Sequence, residues 1–459
     1  MKHRAFYKFV KNGDEDPMNL SNVSVVRYEK PFESVKKAVT LCNGEKRLKR
    51  GAKVFIKPNI VFWTSASVFP KWGVITTSRV VEDMVRLLSD MGITDITIGE
   101  GMVTRNPKDT RTPAHAFESL GYNRLRQRYN LKVINAFERP FEKVELGDGI
   151  SLNFNIDILN SDLVVDLPVM KSHNQTKVSL GIKNLKGMID IASRKKCHSP
   201  DPIKDLNFMV AKLADRMPPI FTLIDGIYSL ERGPGPDGRM RRSNILAASN
   251  DILSADLVGA KILGYDPADI PHLCHAAANR NRPFDLSDIR VMGEDIQKIS
   301  QFHEYDFPYA EDENCELPVP LSKQGIKGVY YRKFDSSMCT YCSGVNGLTL
   351  TAIRFAWKGV PWEKTEVLTG KKMHPTPGMA KTILLGKCMY QAHKDNPDIN
   401  EMIAVKGCPP KPSDILEALR KAGIDADKNL FDNIDALPGF FMDRYKERPE
   451  FEESFFRIS

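Results

Sequence analysis

The sequence predicts an α/β chain: a Rossmann-like, mostly parallel sheet with helices on both faces, followed by a smaller, cysteine-bearing α+β region. Three observations carry this expectation. Strand and helix signals alternate from about residue 23 to residue 263, and such alternation implies parallel pairing through helical crossovers. Several of the strand runs are almost continuously apolar, as strands covered on both faces are. After about residue 320 the pattern changes, and four of the eight cysteines follow.

The elements follow in order. Lys53-Val-Phe-Ile-Lys57 is a short β-rich run stopped by Pro58-Asn59. A helix over 77–88 opens on Thr and Ser, repeats apolar residues at helical spacing and stops at Gly92. A strand over 94–98 ends at Gly99-Glu100-Gly101, and a helix over 114–129 leads to a strand over 132–136. Asp162-Leu-Val-Val-Asp-Leu-Pro168 reads as a buried parallel strand, 205–216 as a helix and 221–225 as a strand. A strand over 245–249 runs into a helix over 252–263, stopped by Gly264. Signals weaken over 283–327, where proline and acidic residues collect near 306–320. The expected division is an extension over 1–50, an α/β domain over 51–300, a linker over 301–328 and a C-terminal region over 329–459.

Bulk properties narrow the class. A chain of 459 residues is too long for one ordinary core. At 42% hydrophobic and 27% charged it is globular. No apolar stretch is long enough to cross a bilayer. Residues 1–13 are basic but lack a following apolar segment, so no secretory signal is expected. The net charge of +8 suits an anionic ligand or an acidic protein partner. No basic run is interleaved with aromatics, which argues against nucleic acid. Sparse cysteines in a long chain exclude a disulfide scaffold and point to a soluble, cytoplasmic protein with a metal–thiolate site.

Cys339-x-x-Cys342 lets two thiolates face one centre from a single turn. Gly344 and Gly347 follow, and are expected to let backbone lie close to a bulky group. Cys388 comes after an apolar strand-like run, and Cys408 in Gly-Cys-Pro-Pro-Lys-Pro precedes a helix over 413–422. Cys-Pro also closes bacterial ferredoxin motifs. The expected metal ligands are Cys339, Cys342, Cys388 and Cys408, holding one [4Fe-4S] cluster. Zinc is the alternative, although zinc ribbons use two tight pairs. A redox pair at Cys339/Cys342, or four unrelated buried cysteines, are the remaining readings. Lys387 and Lys406 beside two of the ligands would stabilise a reduced cluster.

Three polar loops follow strands, where open α/β sheets place ligands. The first is Lys57-Pro58-Asn59. The second runs from Lys171-Ser-His173 through Thr176 to Lys183-Asn184-Leu-Lys186-Gly187. The third is Asp225-Gly226, continuing to Glu231 and a Gly/Pro loop. Lysines, amides and hydroxyls at this density suit a phosphate or carboxylate. Candidate ligand-binding residues are Lys57, Asn59, Glu100, Thr176, Lys183, Asn184, Asp225 and Glu231, with His173, His198 and Lys171 as candidate catalytic groups. Each has a plainer reading: lysines on a helix face are usually solvated, a lone histidine is more often structural, and Asp before Gly makes turns.

These phrases occur in order: Lys57-Pro-Asn, Asp166-Leu-Pro-Val-Met-Lys171-Ser-His173, Lys183-Asn184-Leu-Lys-Gly187, Asp225-Gly226-Ile, Gly233-Pro-Gly-Pro and Ser254-Ala-Asp256. Over about residues 50–265 the chain thereby resembles the domain of unknown function 362 family, with His198 where that family often carries a histidine. The family is similar to iron–sulfur proteins in many members, and distantly to the N-terminal part of the nickel-dependent lactate racemase family. This chain departs from it in lacking a tandem ferredoxin cysteine run, so one cluster is expected. The resemblance implies a fold and a pocket, not a reaction. Two activities remain open: an electron-transfer or oxidoreductase component with a redox partner protein or small anionic ligand, and a non-redox acid/base enzyme with a structural metal centre.

Overall fold

The computed structural model describes residues 20–106, 108–312 and 315–459. The expectation for residues 1–13 lies outside them. Among the described residues no helix is long and apolar enough to cross a membrane.

Ten strands form the first sheet. Its main path runs Ile289–Gly293, Ser21–Arg27, Arg239–Ser249, Ile220–Glu231, Leu163–Leu167, Val54–Pro58, Ile96–Glu100 and Lys132–Asn135. Along that path only Arg239–Ser249 runs against its neighbours. Successive residues of a strand point to opposite faces. Here both faces are covered: Val54, Ile56, Leu163 and Val165 enter one core, while Phe55, Val164 and Ile224 enter the other. Helices Ser78–Asp90 and Ile252–Ile262 close the two sides, contributing Val81 and Met84 to the first core and Leu253 and Leu257 to the second.

Several boundaries differ from expectation. The segment over 1–50 is not a mere extension, because Ser21–Arg27 is a sheet strand whose Val23, Val25 and Val26 are buried. The helix expected over 114–129 is two, Arg111–Ser119 and Tyr122–Tyr129, broken at Gly121 with φ +77°. A Cβ there would lie 2.6 Å from Ile458 Cγ1, so the returning chain end packs against the glycine that stops the first helix. The segment over 301–328 is not only a linker: Tyr309–Asp312 and Cys315–Pro318 form the edge of a second sheet.

That second sheet has six short strands, continuing through Val329–Tyr331, Thr365–Leu368, Lys381–Leu385 and Glu401–Val405. Its first pair is antiparallel and the rest are parallel. Helices Thr340–Ala356 and Pro412–Lys421 pack on it through Leu348, Ala352, Ile415 and Leu419. The first of these helices begins inside the Cys339–Cys342 pair. The last fifteen residues return to the first core, with Tyr445, Phe451, Phe456 and Ile458 buried in it. Trp72 Nε1 donates to Glu452 O at 3.2 Å and Tyr228 OH to Glu450 O at 3.0 Å.

Candidate functional site

Lys57, Asp166 and Glu100 stand at the C-terminal ends of three neighbouring parallel strands, with Lys57 and Asp166 in register. Lys57 is wholly buried. Its Nζ donates to Glu100 Oε2 at 2.9 Å, Pro58 O at 2.7 Å and Asn184 Oδ1 at 3.2 Å. Glu100 also accepts the Ile60 and Gly101 N–H groups, at 2.9 and 2.8 Å. Asn184 donates to Asp166 Oδ1 at 2.8 Å, and Asn59 Nδ2 donates to Asn184 Oδ1 at 3.1 Å. Lys171 Nζ reaches Asn59 Oδ1 at 2.6 Å and Val74 O at 3.0 Å. Burial pushes Lys171 down to about 7, with Glu100 opposing and Lys57 adding to the shift. Burial likewise lowers Lys57 and raises Asp166, whose Oδ2 has no hydrogen-bond partner. Lys57, Asn59, Glu100, Lys171 and Asn184 are thus brought together, but as a buried network that largely satisfies itself.

The groups left facing outward are basic. Asp256 accepts the Gly181 and Ile182 N–H groups at 2.6 and 2.9 Å and so fixes the short helix Gly181–Asn184. Half-buried Lys183 on this helix makes no hydrogen bond or ion pair among the described residues. Burial, then Lys186, Lys171 and Arg194, push it well below the ordinary lysine range. His173 Nδ1 accepts the Gln175 N–H at 3.1 Å, which leaves the neutral ring's proton on Nε2. Burial, then Lys183, Lys171, Lys186 and His198, hold His173 in that neutral form. Lys186 Nζ lies 2.6 Å from His198 Nε2, and His198 Nδ1 lies 2.8 Å from Ser336 O, so the histidine carries its proton on Nδ1. Burial is the first cause that lowers Lys186, to about 8.

Other candidates are placed differently. Thr176 Oγ1 donates to Val178 O at 2.9 Å and shapes its own turn. Asp225, pushed up to about 6 by burial, accepts the Thr77 and Ile227 N–H groups at 2.7 and 3.1 Å. Glu231 is paired with Arg241 and Arg239. None of these three joins the basic groups directly, because backbone donors and arginines already occupy them.

The second region seals this cleft. Gln175 Nε2 donates to Asp335 O and Met338 O, both at 2.9 Å, gripping the loop that precedes Cys339. Lys371 Nζ donates to Lys195 O at 3.2 Å and also to His198 O. Lys195 Nζ donates to Cys408 Sγ at 3.2 Å. A small cavity at this seam is lined by Arg194, Lys195, Cys339 and Tyr341.

The four C-terminal cysteines meet here. A hydrogen bond between Cys339 and Cys342 holds the first below the ordinary thiol range and the second above it. Partial desolvation raises Cys388, with Lys371 opposing and Cys339 and Cys408 adding to it. Cys388 opens the helix Lys387–His393 directly after strand Lys381–Leu385, and Lys387 N donates to Gly407 O at 3.2 Å, joining the loops that carry Cys388 and Cys408. Gly386 has φ +99°, a conformation that side chains rarely adopt, and a Cβ there would lie 3.2 Å from Cys342 Sγ, a tight contact. A Cβ on Gly344 or Gly347 would meet no protein atom within 4 Å. Among the described residues, no three His, Cys, Asp or Glu side chains gather tightly enough to hold a single metal ion. Arg194, Lys195 and Lys371 went unrecognised as site residues. The Lys195-Lys-Cys-His198 phrase was the available signal for the first two, whereas Lys371 is brought in only by the second sheet.

A thylakoid-associated protein of Synechocystis sp. is 29% identical over 228 residues, covering 49% of this chain and 67% of that protein. Among solved structures, the lactate racemase apoprotein from Thermoanaerobacterium thermosaccharolyticum aligns with a TM-score of 0.35 and 14% identity, covering 55% of this chain and 59% of that one. The chain therefore spans less than two thirds of that protein's length. A Thermotoga maritima protein aligns with a TM-score of 0.32 and 11% identity, covering 74% of this chain and 71% of its own. Likeness at these scores carries no argument about function. Residues 54–261, which hold the buried Lys57–Glu100–Asn184 network and the basic groups beside it, match the family model described as Domain of unknown function (DUF362), and over this part the chain is similar to that family.

Proposed function

We propose that Cys339, Cys342, Cys388 and Cys408 hold one [4Fe-4S] cluster, and that the protein is an electron-transfer protein or oxidoreductase component whose basic cleft receives an anion. One observation carries the reading: three separate chain segments bring the four thiols to one place, since Cys342 Sγ lies against Gly386, two residues before Cys388, Lys387 N bonds Gly407 O beside Cys408, and Lys195 Nζ lies 3.2 Å from Cys408 Sγ and 4.9 Å from the Tyr341 ring. The donor set fits the group. All four cysteines are free, Lys195 offers an N–H to Cys408, and Gly386 leaves space beside Cys342 that a methyl group would fill. Thiolates around a four-iron core also stand further apart than thiolates around one ion, so a tight single-ion cluster is not required of them.

When bound, such a cluster supplies one-electron transfer. The chain's own residues do the rest. Lys195 and Lys371 place positive charge beside the thiols, which favours the reduced state. Gln175 and His198 tie the ligand loop to the cleft. Exposed Cys388 and Cys408 leave one side of the site open to a redox partner protein. A reducing compartment such as the cytoplasm, which keeps thiols free, belongs to the same reading.

A second reading is acid/base chemistry on an anionic substrate with a structural metal. It is favoured by the Nε2–H of His173, which has no hydrogen-bond partner among the described residues. Purification without oxygen, with iron, sulfide and zinc analysis and an optical spectrum, separates the readings. About four irons and four sulfides per chain, with absorption that bleaches reversibly on reduction, are expected. Stoichiometric zinc without iron would refute the cluster. Iron that cannot be reduced would favour the structural role.

A further inference from the structure

The basic groups at the seam pose a physical problem of their own. Arg194 is buried, and Lys183 and Lys186 are half-buried. Withdrawing like charges from water together is costly unless a counter-charge accompanies them. Within the domain the nearby carboxylates are largely engaged: Glu100 by Lys57 and two backbone N–H groups, Asp256 by Gly181 and Ile182, and Asp166 by Asn184 through Oδ1, with only its buried Oδ2 unpartnered. What remains is a set of donors without acceptors. His173 is 6% exposed and offers Nε2–H. Lys183 offers all of its Nζ protons. Lys186 spends one contact on His198. Arg194, 8% exposed, donates through Nη2 to Gly101 O at 2.6 Å, while its buried Nε has no partner.

We propose that the seam between the α/β domain and the cysteine-bearing region is a binding site for a small polyanion, a phosphate ester or a di- or tricarboxylate, held by Lys183, Lys186 and His173 and supported by Arg194. This deepens the anion-cleft part of the proposed function and is independent of the cluster. It moves recognition away from Lys57, Asn59, Lys171 and Asn184, whose polar atoms bind one another, to the row of groups in front of them. The site needs both halves of the chain. Ser336 O fixes the tautomer of His198, which in turn orients Lys186, and Gln175, two residues from His173, clamps the loop over 335–338. A bound anion would then lie against the loop leading to Cys339, where its charge meets whatever that loop carries.

The test uses the full-length protein purified without oxygen. Inorganic pyrophosphate and citrate are titrated separately by calorimetry at constant ionic strength, with chloride as the control anion. At least one is expected to bind in the micromolar to millimolar range, and Lys183→Gln and Lys186→Gln should each weaken it about tenfold, the worth of one charge-assisted hydrogen bond. Binding of pyrophosphate alone identifies a phosphate ligand, and binding of citrate alone a polycarboxylate. Lys183→Arg should restore part of the affinity, which a variant that merely misfolds would not do. The proposal is overturned if neither anion binds, or if both lysine variants bind as the parent does. Iron content read on the same samples keeps the two readings apart: anion binding without iron refutes only the cluster, and full iron without anion binding refutes only this site.

Discussion

Lys57 and Glu100 form an ion pair with side-chain exposures of 0% and 2%. Two charges in such a place hold one another there, and removing one strands the other. Lys57→Met keeps the length of the side chain and deletes the ammonium. Glu100 then keeps the Ile60 and Gly101 N–H groups but loses its cation, while Asn184 Oδ1 and Pro58 O lose a donor. Breaking a buried pair from one side costs about 3–5 kcal/mol. The double variant Lys57→Met/Glu100→Gln removes the stranded charge as well and should recover part of that loss. It should be more stable than Lys57→Met alone, opposite in sign to simple addition. Urea unfolding can read this from the α/β half by itself. In a Trp357→Phe/Trp362→Phe background, Trp63 and Trp72 are the remaining tryptophans, and both lie in that half. For a typical urea slope the single variant should lower the midpoint by about 1–3 M, with the double between it and the parent. A single variant within about 1 kcal/mol of the parent, or a double less stable than the single, would refute the view that this pair is a mutually dependent buried charge.

Cys408→Ser should lower bound iron and bleach the visible spectrum, whereas Cys42→Ser, in a buried position of the first core, should leave both unchanged; equal iron in the two variants would remove Cys408 from the ligand set. Gly386→Ala should impair metal loading, since its Cβ would press on Cys342 Sγ in a backbone conformation that side chains avoid, while Gly344→Ala, facing open space inside a helix, should load normally and gain about 0.5–1 kcal/mol. His272 is buried with neither ring nitrogen partnered, and burial lowers it to about 3. The unfolded chain therefore binds the extra proton first, so its contribution to stability is complete above about pH 6.5 and is lost as pH falls toward 3. Between pH 6.5 and pH 5 the parent should lose about 2 kcal/mol more than His272→Leu, and parallel stability profiles for the two would show that His272 charges freely in the fold.

Strands such as Val54–Pro58 and Leu163–Leu167 were legible because each reading is local. An apolar run between turn formers has the period of a strand, and burial on both faces leaves it no polar alternation. The helix break at Gly121 had a local signal, a glycine in the left-handed conformation just past the first helix, but that Ile458 packs against this position could not be read from neighbours in sequence. The same holds for Gly386: only the arrival of Cys342 beside it shows why a glycine stands there, whereas Gly344 and Gly347, nearer in sequence, border open space.

The residues of the cleft divide along the same line. From its order of phrases alone, the sequence determined a parallel α/β domain with lysines, amides and histidines at strand ends, and a later region that carries four of the eight cysteines. The tertiary structure decided which of those polar groups bind one another and which are left over. Lys57, Asn59, Lys171 and Asn184 come from different strands and loops, and only their packing turns them into a self-satisfied network. Lys183 and His173 are left as unpaired donors by the same packing, and Lys371 and Ser336 reach His198, the partner of Lys186, only because the second sheet docks on the first. Local chemistry is written in neighbouring residues, but hydrogen-bond satisfaction is settled between residues that meet only once the chain has folded.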